Sequence, residues 1–124
     1  ATPWLLECVA GIVDADELPE DVARREVKEE TGCVVQEIIP VHRYLVSPGG
    51  TSEMVHSFCA RVEAPIDGGI HGLSEEHEDI RIVVTPVTEA IDHLQSGKIS
   101  NGMTLIAMQW FHGKHEELRR LWAR

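Results

Sequence analysis

Apolar residues recur at helical spacing early in the chain. Plotted at about 100° per residue, Leu18, Val22, Ala23 and Val27 bound one apolar arc, and Glu20, Asp21, Arg24 and Lys28 take the opposite side. Pro19 suits a first helical turn, and Gly32 is placed to stop the helix in a left-handed conformation. The spacing therefore predicts a helix from Pro19 to about Thr31. Two residues break its pattern: Glu26 and Glu30 project from inside the apolar arc.

Elsewhere the rhythm is that of strands. "WLLECV" reads as a buried strand ending near Ala10-Gly11, and "VVQEIIPVHRYLVS" as extended chain with Pro40 at an edge or bulge. "SPGGTSE" is a turn or loop by its Pro and Gly content. "MVHSFCARVEA" is the next strand, with Val55, Ser57, Cys59 and Arg61 on one face. Pro65 to Asp79 shows no clear period, and loops of that length in compact domains are often functional. "IRIVV" is a strand and "TEAIDHLQSG" a short helix closed by Gly97. Ser100 or Asn101 can cap a last helix through "MTLIAMQWF", continued after Gly113 by "HEELRRLWAR". Helices and strands are mixed, so the class is α/β or α+β.

At 124 residues the chain is one domain's worth, and 43% hydrophobic with 26% charged residues is globular composition. No apolar run approaches the roughly 20 residues that span a bilayer. Cys8, Cys33 and Cys59 form no CxxC pair and read as core residues of a reducing, cytoplasmic setting. The net charge of −10 with no basic stripe argues against nucleic acid and anionic membrane as partners. An acidic chain still binds an anionic substrate when divalent cations stand between the two.

That is where the two inward glutamates lead. A buried, ionised carboxylate must be paired, neutralised or metal-bound. Glu26 and Glu30, four apart, are neighbours on the helix surface; Glu29 flanks them and Glu17 precedes the helix. Arg25 relieves one negative charge, not three or four. A hard divalent cation with oxygen ligands, Mg²⁺ above all, satisfies the remainder.

From Gly11 to Cys33 the spacing resembles the Nudix box, Gx5Ex7REUxEExGU, with Gly11, Glu17, Arg25, Glu26, Val27, Glu29, Glu30 and Gly32 at its fixed positions. Cys33 stands where that family usually has an aliphatic residue, and Cys behaves as a small hydrophobe. The resemblance implies an α/β fold, a mixed sheet sandwiched between helices. It implies hydrolysis of a nucleoside diphosphate derivative with Mg²⁺, for which Mn²⁺ can substitute. It also implies that Glu26 and Glu30 are metal ligands together with the Ala10 carbonyl, that Glu29 ligates or supports a second ion, and that Arg25 and Glu17 orient the ligands.

Two further stretches narrow the substrate. Pro48 lies sixteen residues beyond Gly32, and a proline there resembles the subgroup that cleaves ADP-ribose. "GIHGLSEEHEDIRI" is similar to the catalytic loop of bacterial ADP-ribose pyrophosphatases, and the likeness continues through "SGKISNGMTLIAMQW". It implies Glu76 as general base, Glu78 as a further metal ligand, and Ser47, Gly49, Gly50 and Glu53 as the loop that holds the terminal ribose and phosphate. The implied reaction gives AMP and ribose 5-phosphate. The rival activities are a Nudix pyrophosphatase acting on an ADP-sugar or NADH, and a module that binds ADP-ribose without cleaving it.

Members of that family carry further N-terminal strands before residues matching "TPWLLE". The expectation is therefore a catalytic domain over residues 1–124 that lacks those strands, from a longer, homodimeric protein. The seven histidines show no paired ligand spacing, and Trp110, Phe111 and Trp122 read as core or subunit-contact residues.

Overall fold

The computed structural model describes residues 4–63, 69–71 and 80–123. Its elements in order are helix α1 (Pro19–Thr31), strands β1 (Val35–Leu45), β2 (Met54–Val62), β3 (Gly69–His71) and β4 (Ile80–Ile82), and helices α2 (Val87–Ser96) and α3 (Gly102–Trp122). Two compact units divide them, one of Ala1–Cys8, Ile39–Cys59 and Pro86–Arg124, the other of Val9–Ile38 and Ala60–Thr85.

The second unit carries α1. Leu18 is its N-cap, without a side-chain cap, and Pro19 opens the first turn. Glu20 and Asp21 in that turn and Lys28 in the last complement the helix dipole. Gly32 ends the helix at φ 76°, and its N–H donates to the Lys28 carbonyl at 2.9 Å. A side chain would be strained there; glycine is not. Val22 is the buried apolar centre of the helix, which packs against β3 and β4. Those strands pair antiparallel, Gly69 with Ile82, Ile70 with Arg81 and His71 with Ile80.

In the first unit the chain reverses between β1 and β2. The Ser47 carbonyl accepts from the N–H groups of Gly50 (3.0 Å) and Thr51 (2.9 Å), and the Val46 N–H donates to Glu53 (3.1 Å). α2 packs against α3 and ends at Gly97, φ 85°. Asn101 caps α3: its Oδ1 accepts from the Thr104 N–H and hydroxyl, both at 3.0 Å. The same hydroxyl accepts from the Cys8 N–H at 3.1 Å, fixing the early chain to the start of α3. Ile99 and Leu118 are the buried apolar residues of this unit's helical part.

β1 and β2 pair with each other. Bonds at the two ends, Val46 N–H to the Glu53 carbonyl and Glu63 N–H to that of Val34, make the pairing antiparallel. β1 spends two more residues than β2 between those bonds. Pro40, which has no N–H to donate, lies within that stretch of β1. The Ser57 hydroxyl accepts from the His42 N–H at 3.1 Å.

Three elements differ from the sequence-based expectation. Residues 4–10 form no strand, and Trp4 and Leu5 are exposed at 56% and 52%. An apolar run becomes a strand only against a partner, and none of the described strands pairs with it. "IRIVV" stays in a strand only to Ile82, with Val83 and Val84 exposed. Leu18 is 68% exposed, because as N-cap it precedes the first helical turn and leaves the arc that Val22 and Val27 continue. Among the described residues no helix is long and apolar enough to cross a membrane.

Candidate active site

Several box residues meet within the second unit. Arg25 forms the centre: Nη1 donates to Glu17 Oε2 in a close ion pair, Nη2 lies 3.6 Å from Glu26 Oε1, and Nε lies 3.9 Å from Glu29 Oε1. One guanidinium thus faces three carboxylates. Glu17 is held from its other side as well, where Oε1 accepts from the Asp14 N–H at 3.2 Å. These contacts, the Arg25 bond first, lower the Glu17 pKa, and the Glu17 bond raises that of Arg25.

Glu26 lies over Gly11. A Cβ built on Gly11 would overlap Cγ, Cδ and Oε1 of the Glu26 side chain. Gly11 is not in a positive-φ conformation, so glycine is needed there for room and not for backbone freedom. Ala10 precedes it in irregular, exposed chain. Glu30 is buried, with 8% of its surface exposed, whereas the Glu29 side chain keeps 32%. The outward residues expected on α1, Glu20, Asp21, Arg24 and Lys28, are exposed, and Arg24 pairs with Glu20 at 3.2 Å.

This set fits a hard divalent cation. Its donors are oxygens only, and three carboxylates face one guanidinium. Among the described residues no three His, Cys, Asp or Glu side chains are grouped as a metal site, so these alone do not complete a coordination sphere. Glu76 and Glu78 lie outside the described residues. His71 and Ile80, paired in the ladder against α1, bracket the segment that contains both.

The residues expected to bind substrate, Ser47, Gly49, Gly50 and Glu53, share the exposed reversal between β1 and β2. Within it the Glu53 N–H donates to Thr51 Oγ1 at 3.2 Å. Next to the reversal, Arg43 Nε donates to Met54 Sδ at 3.0 Å. Cys8, Cys33 and Cys59 are free thiols. Burial raises the pKa of Cys8 and Cys59, against which the Thr104 hydroxyl works at Cys8.

The aromatic residues of α3 belong to the first unit. Trp110 lines an apolar cleft of about 380 Å³ with Ile39, Leu118 and Leu121, rimmed by the Lys114–Glu117 pair at 3.8 Å. Phe111 lies 5.8 Å from the His115 ring, and Trp122 is half-buried. Two features were missed in the sequence, the room that Gly11 makes for Glu26 and the hydroxyl of Thr31. Only the fixed box spacing hinted at the first, and the second had no periodic signal.

The helix thus closes on a left-handed glycine, with Glu26 and Glu29 on it and Glu17 before it facing one arginine at the box spacing. The family profile described as the NUDIX domain matches residues 1–103, and the chain belongs to that family. Over 122 residues it is 47% identical to the protein named ADP-ribose pyrophosphatase of Escherichia coli (strain K12), covering 98% of this chain and 58% of that relative. The ADP-ribose pyrophosphatase of Haemophilus influenzae is 42% identical over 123 residues, 99% of this chain and 57% of its own. A protein named GDP-mannose pyrophosphatase from Salmonella arizonae is 36% identical over 115 residues, 90% of this chain and 57% of its own. The chain spans a little more than half the length of these relatives.

Proposed function

We propose that the protein hydrolyses the pyrophosphate of ADP-ribose, adding water to give AMP and ribose 5-phosphate, with Mg²⁺ as cofactor and Mn²⁺ as a substitute. The observation that carries this reading is the carboxylate set on α1: Glu26, Glu29 and buried Glu30, with Arg25 as the cation beside Glu26 and Glu29. The names of the relatives from E. coli and H. influenzae support the choice of substrate.

In this reading Glu26, Glu30, the Ala10 carbonyl and Glu78 hold the ion, with Glu29 as a ligand or support for a second. When bound, the ion neutralises phosphate charge and acidifies water. Arg25 keeps Glu26 and Glu29 oriented while it is itself anchored on Glu17. The base comes from outside the box, because the box carboxylates serve as ligands. Glu76 takes the proton of the attacking water, a task that needs it within hydrogen-bond reach. The ladder that brackets its segment and packs on α1 supports that assignment. Ser47, Gly49, Gly50 and Glu53 receive the terminal ribose and its phosphate.

The protein acts as a homodimer in a reducing cytoplasm, a setting its three free cysteines support, and with a net charge of −10 it takes no nucleic acid or membrane as partner. The GDP-mannose pyrophosphatase relative favours one rival, a nucleotide-sugar pyrophosphatase. Turnover of ADP-ribose, ADP-glucose, GDP-mannose and NADH with Mg²⁺ separates the two; a tenfold preference for any rival overturns the assignment. Glu26→Gln and Glu30→Gln should abolish most Mg²⁺-dependent AMP release, and Glu76→Gln should lower turnover more than metal affinity. Tight ADP-ribose binding with no AMP release would identify a binding module instead.

A further inference from the structure

We propose that the hydroxyl of Thr31 is a positioning group for the carboxylates of α1, an inference that rests on the reading of Glu26, Glu29 and Glu30 as cation ligands. Thr31 is 8% exposed, the last residue of the helix and the neighbour of Glu30. Its Oγ1 donates to the Val27 carbonyl one turn back and accepts from the Cys33 N–H at 3.1 Å. Cys33 is also buried, at 6%. The hydroxyl therefore clips the final helical turn to the chain that leaves it, across the left-handed Gly32.

The location matters because a helix end is where backbone groups lose their intrahelical partners and fray. A threonine that bonds back to the carbonyl four residues earlier does not favour the helix on its own account. The second bond, to Cys33, is what gives the arrangement a purpose. Glu29 and Glu30 sit on the turn being clipped, their charges repel, and Arg25 holds Glu29 only at 3.9 Å. Glycine beside them allows the turn to open. With the clip closed, the glutamates keep a fixed spacing before any cation arrives; without it, cation binding must first order the turn, and affinity falls.

The test is Mn²⁺ binding, followed by the electron paramagnetic resonance signal of the free ion, for the wild type, Thr31→Val and Thr31→Ser. Valine keeps the shape and removes both bonds; serine keeps the hydroxyl. Thr31 acts on the turn and not on a ligand directly, so Thr31→Val should weaken Mn²⁺ binding by roughly tenfold, the low end of the effect of losing a ligand's own outer partner, and Thr31→Ser should stay within about twofold of wild type on the same scale. All titrations are run below each variant's unfolding transition, and Thr31→Ala replaces the valine variant if that one does not fold. Unchanged Mn²⁺ affinity in the valine variant with only a lowered Tm overturns the inference and leaves the cation reading intact. A wild type that binds no Mn²⁺ overturns both.

Discussion

Replacing Gly11 by alanine is the sharpest perturbation the structure offers. The added Cβ would fall on Cγ, Cδ and Oε1 of Glu26, far inside the 3.4 Å at which ordinary contact begins. Something must move, and the flexible carboxylate arm moves before the backbone of α1 does. Gly11 is exposed and has no positive φ, so the strain is relieved outward, and stability should fall by less than the about 1–3 kcal/mol of overpacking in a closed core. The cost appears in the chemistry. With Glu26 in its proposed role as a cation ligand, a displacement of about 1 Å lowers turnover about 10²-fold, or about 2.7 kcal/mol in the barrier. The assay is AMP release from ADP-ribose at saturating Mg²⁺, alongside a thermal melt. Gly113→Ala is the control, since its Cβ meets nothing within 4 Å; inside α3 it should leave turnover unchanged and raise stability by up to about 1 kcal/mol. Wild-type turnover in Gly11→Ala would refute the claim that Glu26 depends on the space above Gly11.

Other perturbations test other parts. The lowered pKa of Glu17 stabilises the fold above the ordinary glutamate value of 4.5, and that contribution is lost as pH falls through the lowered folded value. Melting points of wild type and Arg25→Ala should therefore differ at neutral pH and converge in acid; a constant offset would show that the bond to Glu17 is not the cause. Asn101→Ala removes the cap of α3 and should cost about 1 kcal/mol in a denaturant titration. Burial raises the thiol pKa of Cys8 and Cys59, so iodoacetamide at neutral pH should label both more slowly than an unstructured cysteine peptide, as read by mass spectrometry; equal rates would refute it.

How much of this was legible depended on whether the determining contacts were local. The bounds of α1 were, because Pro19 and Gly32 punctuate the chain within one element. The reversal at Ser47–Glu53 was, for the same reason, and so was the cap at Asn101 or its neighbour. Leu18 misled: an apolar residue in phase with a helix can still be its N-cap, and phase does not report where helical geometry begins. The run from Trp4 misled because strand formation is settled by a partner elsewhere in the chain. At the site, the box spacing pointed to the inward glutamates, yet neither the close approach of Glu26 to Gly11 nor the Thr31 bridge has a signature in hydrophobic rhythm. Both are visible only once the backbone is placed.

The antiparallel match of His71 with Ile80 fixes the two chain positions on either side of residues 72–79 at adjacent places on the ladder that packs on α1. Between two such fixed points each doubling of chain length adds only about 0.6 kcal/mol to the cost of closure, so the sequence there is free to vary in length while the helix behind the ladder, and the glutamates it carries, keep their place.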